Sequence, residues 1–339
     1  MNIYDMTLEK LEKYFIDNDM KKFKAIQIFE WLYKKRIDDF NLMTNLGKDL
    51  IKKLENEFEI HSLKIIDKRK TSDAIKFLFD LSDNNKVEAV LMKHDYGNSL
   101  CVSTEVGCNM GCKFCESGRL KKIRNLKTHE MVEQILEVEK ELSTRISHVV
   151  LMGIGEPFDN YDNVIDFIDI INSGKGIDIG ARHITVSTCG IVPKIIEFMN
   201  NGKQVNLAIS LHAPNDDLRN KLMPINKTYN LDLLINTLKK YIEVTNRRVT
   251  FEYILLDGIN DTDICASELA NLIKGMNAYV NLIPYNETSH IEFKRSKNVM
   301  RFYDILKKNG INATIRREFG SELNAACGQL RSNYEEGKI

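Results

Sequence analysis

From about residue 97 the chain repeats one pattern six times: a short apolar run with strand character, then a longer segment with helical spacing. Candidate strands are Ser99 to Thr104, His148 to Met152, His183 to Ser187, Asn206 to Leu211, Val249 to Leu256 and Val280 to Ile283. Helical segments near 129–142, 162–172, 191–200, 230–244, 263–275 and 297–309 follow them in turn. Such an alternation demands a parallel sheet with right-handed crossovers, because parallel neighbours can be joined only through a covering helix. Six units are two short of a closed (β/α)8 barrel. The pattern therefore predicts an α/β fold, an open partial (β/α)6 barrel first and a doubly wound sheet second. A last run, Asn312 to Arg316, is expected at the edge.

The first part of the chain reads differently. Leu8, Leu11 and Phe15, then Ile26, Phe29 and Leu32, are spaced three and four apart, as on amphipathic helices. The period shortens beyond Leu63, and 74–81 and 87–92 look like strands around the polar turn Ser82 to Asn85. Three parts are expected: a helical module over 1–60, a short linking β-sheet over 61–96, and the barrel with its C-terminal segment over 97–339. No run approaches the roughly 18 apolar residues of a membrane helix. The acidic N-terminus is unlike a signal peptide, so a cytoplasmic location is expected. With 48 basic and 48 acidic residues, indiscriminate binding to polyanions is disfavoured, although a local basic groove is compatible with that balance.

Seven cysteines, an odd number, argue against a disulfide framework. Cys108, Cys112 and Cys115 are spaced C-x3-C-x2-C on the loop after the first barrel strand, and Gly107 and Gly111 permit tight turns there. Three thiolates so placed can hold a 4Fe-4S cluster and leave one iron open to a small ligand. The competing reading is a structural zinc site. It lacks a clear fourth ligand, since His129 is the sole candidate in the next thirty residues. Polar residues close the other strands: Gly153 to Pro157, Ser187-Thr188, Ser210-Leu211-His212 and Pro284-Tyr285-Asn286. In β/α barrels such residues converge on the active face. Cys189 and Cys265 are expected to pack, and Cys327, between small neighbours, is an uncrowded thiol.

The cysteine loop, with Phe114 before its third cysteine, resembles that of the radical S-adenosylmethionine (SAM) superfamily. Longer passages, among them VEAVLMKHDYGNSLCVSTEVGCNMGCKFC, VVLMGIGEPFDNYDNV, GARHITVSTCGIVPKI, VTFEYILLDGIND and NAACGQL, resemble the RlmN/Cfr family of radical SAM RNA methyltransferases, nearly end to end. That resemblance implies that Cys108, Cys112 and Cys115 hold the cluster. It implies SAM contacts from Gly155, Glu156, Ser187, Ser210, Leu211, His212 and Asn286. Cys327 would carry the methyl group, Cys101 would resolve it through a transient disulfide, and Glu88 would be an acid/base.

The chemistry explains the extra thiols. Carbon 2 of adenine lies between two ring nitrogens and is too electron-poor to displace a methyl group from a sulfonium, whereas a thiolate can do so. The family scheme uses two SAM molecules per turnover, one as methyl donor and one as radical source. Implied partners are 23S rRNA, tRNA and an electron donor such as flavodoxin or ferredoxin, and the implied state is a monomer. The helical module would contribute to RNA binding, with Lys121, Lys122, Arg124 and the pairs Arg247-Arg248, Lys294-Arg295 and Arg316-Arg317 as further candidates.

Carbon 2 is expected over carbon 8, the Cfr position, because GEPFDNYDN and SLHAPND follow the carbon-2 enzymes. MGCK and FGSELN lean the other way. Glu116-Ser117 after the third cysteine, and Asp73-Ala74 in the first sheet, depart from the family pattern. Two further readings are a radical SAM enzyme on a non-RNA substrate, which would leave Cys101 and Cys327 idle, and a zinc-stabilised RNA-binding protein.

Overall fold

The computed structural model describes residues 1–60, 63–119, 121–288 and 290–319. Three helices open the chain: α1 (Leu8–Asp17), α2 (Phe23–Tyr33) and α3 (Lys48–Glu57). Thr7 starts α1 by accepting a hydrogen bond from the Lys10 N–H at 3.2 Å, and Leu11 and Phe15 turn the helix's apolar stripe inward. Strands β1 (Lys64–Lys70), β2 (Ala74–Asp80), β3 (Lys86–His94) and β4 (Gly97–Cys101) form an antiparallel meander.

The barrel then runs through β5 (Glu105–Val106), β6 (Arg124–Asn125), α4 (Thr128–Leu142), β7 (His148–Leu151), α5 (Tyr161–Asn172), β8 (Ile184–Thr188), α6 (Val192–Asn200) and β9 (Asn206–Ser210). It ends with α7 (Asp216–Leu222), α8 (Leu231–Thr245), β10 (Val249–Leu255), α9 (Asp263–Leu272), β11 (Ala278–Pro284), α10 (Val299–Lys308) and β12 (Ala313–Ile315). One ten-stranded sheet runs β1-β2-β3-β4-β7-β8-β9-β10-β11-β12, and from β4 to β12 every pairing is parallel. The expected alternation and edge strand are present. The order is sequential, without the reversal of a doubly wound sheet, so the open-barrel reading holds.

Two differences from the sequence reading stand out. The residues expected to form a separate linking sheet continue the barrel sheet, because β3 pairs with β4 from His94↔Gly97 to Val90↔Cys101 across a tight turn. Helix α7 was not expected. Its start is set by Asn215, whose side chain accepts from the Leu218 N–H at 3.0 Å, and Asp216 and Asp217 favour its first turn.

A continuous apolar core extends from Phe15, Phe29 and Tyr33 of the first helices to Val149, Val186, Leu207, Phe251 and Leu282 of the parallel strands. A smaller cluster of Cys189, Ala213, Leu222, Met223, Leu256 and Tyr285 has Met110, Cys112 and Phe114 at its margin, and so joins the cysteine loop to the strand ends. Among the described residues no helix is long and apolar enough to cross a membrane.

Candidate active site

The strand ends enclose a cavity of about 380 Å3. Cys101, Gly155, Glu156, Ser187, Ser210, His212 and Asn286 line it, together with Glu88 and the loop cysteines Cys108, Cys112 and Cys115. Chemistry-bearing residues from positions 88 to 286 thus meet at one place, as the C-terminal face of a β/α barrel dictates. Leu211 is the exception among the expected contacts. It is fully buried, its N–H donates to the Glu252 carbonyl at 3.0 Å, and its carbonyl accepts from Arg219 Nε at 3.1 Å. Cys327 lies outside the described residues.

The cysteine loop is closed at its base by β5 and β6, which pair Glu105↔Asn125 and Val106↔Arg124. Arg124 fixes that base through two bonds to Glu130 (2.7 and 2.8 Å) and one to Asp83 (2.6 Å). Burial pushes the Cys108 thiol up to about 12 and raises those of Cys112 and Cys115 as well. Backbone N–H groups oppose this by pointing at sulfur, from Met110 to Cys108 and from Ser117 and Gly118 to Cys115. Hydrogen bonds to sulfur in a half-buried loop are the setting in which thiolates hold an iron–sulfur cluster. Among the described residues no three Cys, His, Asp or Glu side chains converge as ligands to a single ion. The donor set, three thiols bordering one cavity, fits a cluster that keeps an open iron.

Glu156 is one of the SAM contacts that the resemblance implies. Its carboxylate is buried and accepts from two backbone N–H groups, Phe158 at 3.0 Å and Cys189 at 2.7 Å, which oppose the rise in its pKa that burial causes. It thereby locks the β7 end to the β8 end. A second carboxylate, Glu105, supports it from below by accepting the Glu156 N–H at 2.9 Å, while Lys122 bonds Glu105 at 2.5 Å and Asp159 at 2.7 Å. Gly155, at φ +113°, must be glycine, since a Cβ there would stand 2.6 Å from the Glu105 side chain. Burial pushes the Glu105 carboxyl up to about 7 against the pull of Lys122.

His212 is buried, its ring edge-on to Phe114 at 4.7 Å. Nδ1 accepts from the Ile254 N–H at 3.0 Å, so the proton of the neutral ring sits on Nε2. Burial and the neighbouring Arg219 lower its pKa to about 3, which keeps the ring neutral. Arg219, fully buried on α7, donates to the carbonyls of Cys189 (2.7 Å), Ser210 (3.2 Å) and Leu211, and to Asn226 at 2.8 Å. It clamps two strand ends together. The N-cap pattern around Asn215 was the signal that could have found this helix and its arginine.

Cys101 ends β4 as a free thiol, raised to about 11 by burial with a further push from Glu88 and opposed by Arg316. Glu88 is buried and pairs with the equally buried Lys76 across β2 and β3, 3.3 Å apart. Glu252, not expected as a site residue, and Arg316, expected only as half of an RNA-binding pair, also line the cavity. Burial raises the Glu252 carboxyl, while Arg316 and a 2.9 Å bond from Asn281 oppose that rise. Cys189, expected only to pack, is buried and lines the cavity too, whereas Cys265 is buried in the core of α9 as expected.

Several expected RNA-binding charges are engaged elsewhere. Lys122 and Arg124 hold the loop base, Arg295 forms two bonds to Glu318, and Arg248 covers the Tyr279 ring. In the helical module Lys22 pairs with Glu12, Lys34 with Glu30 and Arg36 with Glu139, while Lys35 lies over Trp31.

Two family models match the chain: the radical SAM superfamily over residues 102–267, and the ribosomal RNA large subunit methyltransferase N-terminal domain over residues 1–60. A probable dual-specificity RNA methyltransferase RlmN from Acholeplasma laidlawii is 53 % identical, covering 98 % of this chain and 99 % of the relative. A protein of the same description from Spiroplasma citri is 52 % identical, with 98 % of each chain covered. The crystal structure of a radical SAM methyltransferase from Sphaerobacter thermophilus superposes with a TM-score of 0.90 at 41 % identity, over 97 % of this chain and 98 % of that one.

Proposed function

The chain belongs to the RlmN family of radical SAM RNA methyltransferases, and from that premise we propose that it methylates carbon 2 of adenine 2503 in 23S rRNA and of adenine 37 in tRNA. The observation that carries the proposal is the meeting of Cys101, Glu88 and the three loop cysteines on one cavity with Ser187, Ser210 and Asn286.

Cys108, Cys112 and Cys115 would hold the 4Fe-4S cluster, and Gly155, Glu156, Ser187, Ser210, His212 and Asn286 would form the SAM-facing wall. When bound, the cluster supplies one electron to SAM, which yields methionine and a 5′-deoxyadenosyl radical. The Cys327 thiolate takes a methyl group from a first SAM, and hydrogen abstraction from that S-methyl group prepares its carbon to add to the ring. Glu88, paired with Lys76 and lining the cavity, would move the ring proton. With the adduct's unpaired electron returned to the oxidised cluster, the Cys101 thiolate would attack the sulfur of Cys327 and the released methylene carbon would take up a proton, which frees the methylated base and leaves a Cys101–Cys327 disulfide for an external reductant to reopen. Burial raises the Cys101 thiol and so favours its protonated form in the resting enzyme.

The test is Cys101→Ala. The proposal expects enzyme joined covalently through Cys327 to the target adenine, seen by gel shift and peptide mass spectrometry. Normal turnover by the variant would remove Cys101 from the reaction.

A further inference from the structure

Glu116, the residue that departs from the family pattern, is buried next to Cys115 and divides the work of its two oxygens. Oε1 receives Arg119 at 2.5 Å and His290 at 2.9 Å, so the cluster loop is tied to the segment after β11. Oε2 is buried without a hydrogen-bond partner among the described residues. The hydroxyls of Tyr285 and Thr288, neighbours of one another, are buried and make no hydrogen bond of standard geometry. All three residues line the cavity. Buried polar atoms are rarely left unsatisfied, and the unpartnered Glu116 Oε2 beside the imperfectly bonded Tyr285–Thr288 hydroxyl pair, all on residues lining one cavity, marks a place where a ligand completes the set.

The surroundings restrict what that ligand can be. Arg119 already supplies a counter-charge to Glu116, so Oε2 calls for a neutral N–H rather than a second cation. The hydroxyls can donate to an acceptor beside that N–H. Phe114, Ile254 and Ile283 on the cavity wall offer apolar surface to the faces of a flat ring. We propose that Glu116, Tyr285 and Thr288 form a subsite for the amino edge of an adenine ring. Glu116 Oε2 accepts from the exocyclic amine, and the hydroxyls serve the adjacent ring nitrogen. The proposal rests on the methyltransferase reading, in which both SAM and the target base carry that edge.

The experiment uses the full chain with its cluster reconstituted without oxygen. Equilibrium dialysis compares S-adenosylhomocysteine with S-inosylhomocysteine, and in a second arm an RNA hairpin carrying adenosine or inosine at the target position. Inosine reverses the donor and acceptor pattern of the edge. Wild type is expected to prefer the amino form at least about 10-fold in one arm, and that arm identifies the source of the ring. Glu116→Gln should reduce the preference to within about 2-fold, because the amide oxygen stays with Arg119 and its NH2 then faces the ligand's NH2. Tyr285→Phe, which keeps the ring packing, should fall between them and carries the test if Glu116→Gln does not fold. Equal binding of both forms by wild type in both arms, or an undiminished preference in the variants, would overturn the subsite. Absence of RNA methylation alongside a preserved preference in the SAM arm would overturn the functional reading and leave the subsite standing.

Discussion

At the rim of the junction between the first helices and the barrel, charge is handled in the opposite way from the cavity, although Arg36–Glu139 and Glu133 are covered beneath that rim. At the junction, Lys140–Asp38 and Lys175–Glu30 are solvent-exposed pairs around an apolar contact, with side chains 64 % and 56 % exposed in the first pair. At the cavity, Lys76 and Glu88 are each 2 % exposed, and the Glu105 and Glu116 side chains are wholly covered. Exposed pairs contribute little because water screens them. Buried pairs cost desolvation and are poor stabilisers, so those that line the cavity are read as serving the work done there.

The largest effect should come from Cys112→Ala, which removes one of three proposed ligands. The anaerobically reconstituted variant is expected to retain background iron and to lose reductive SAM cleavage, as read by metal analysis and 5′-deoxyadenosine release. Lys76→Met removes one partner of the buried Lys76–Glu88 pair and should cost about 3–5 kcal/mol in urea unfolding. Glu156→Gln leaves one of the Phe158 and Cys189 N–H groups facing an amide NH2, for a loss of about 1–3 kcal/mol in the same measurement.

The Glu105 carboxyl gives a pH signature. Its folded-state pKa, about 7, lies above the unfolded value of 4.5, so the native state holds more protons between the two values and stability falls as pH rises through that window. Glu105→Gln should flatten that dependence, and the difference between variant and wild type should change by about 1–2 kcal/mol between roughly pH 5 and 7.5. The smallest effect belongs to the junction, where Lys140→Ala should change unfolding free energy by less than about 0.5 kcal/mol. A junction variant as costly as Lys76→Met would break the comparison.

Legibility in sequence divides along the same line. The parallel strands could be read because they are mostly apolar and largely buried on both faces, as Val249 to Leu255 illustrates despite its Thr250 and Glu252. The cysteine loop could be read because its spacing is itself the chemistry. The buried charges could not. The N-cap pattern around Asn215 marks the helix that carries Arg219, but not that its guanidinium will be buried against the carbonyls after β8 and β9 and against Asn226. Arg316 looked like half of a surface pair until β12 placed it on the cavity wall. Glu105 and Lys122 are separated by the whole cysteine loop, and only the β5–β6 pairing brings them together. Leu211 belongs to the same lesson, since its neighbours Ser210 and His212 reach the cavity while its own backbone groups are consumed within the fold.

The central claim is tested most directly by mass spectrometry of nucleosides from 23S rRNA and tRNA incubated with the reconstituted enzyme, SAM and reductant. The account predicts 2-methyladenosine from both RNAs, absent with Cys327→Ala. Appearance of 8-methyladenosine without 2-methyladenosine, or of no methylated adenosine despite SAM cleavage, would contradict it.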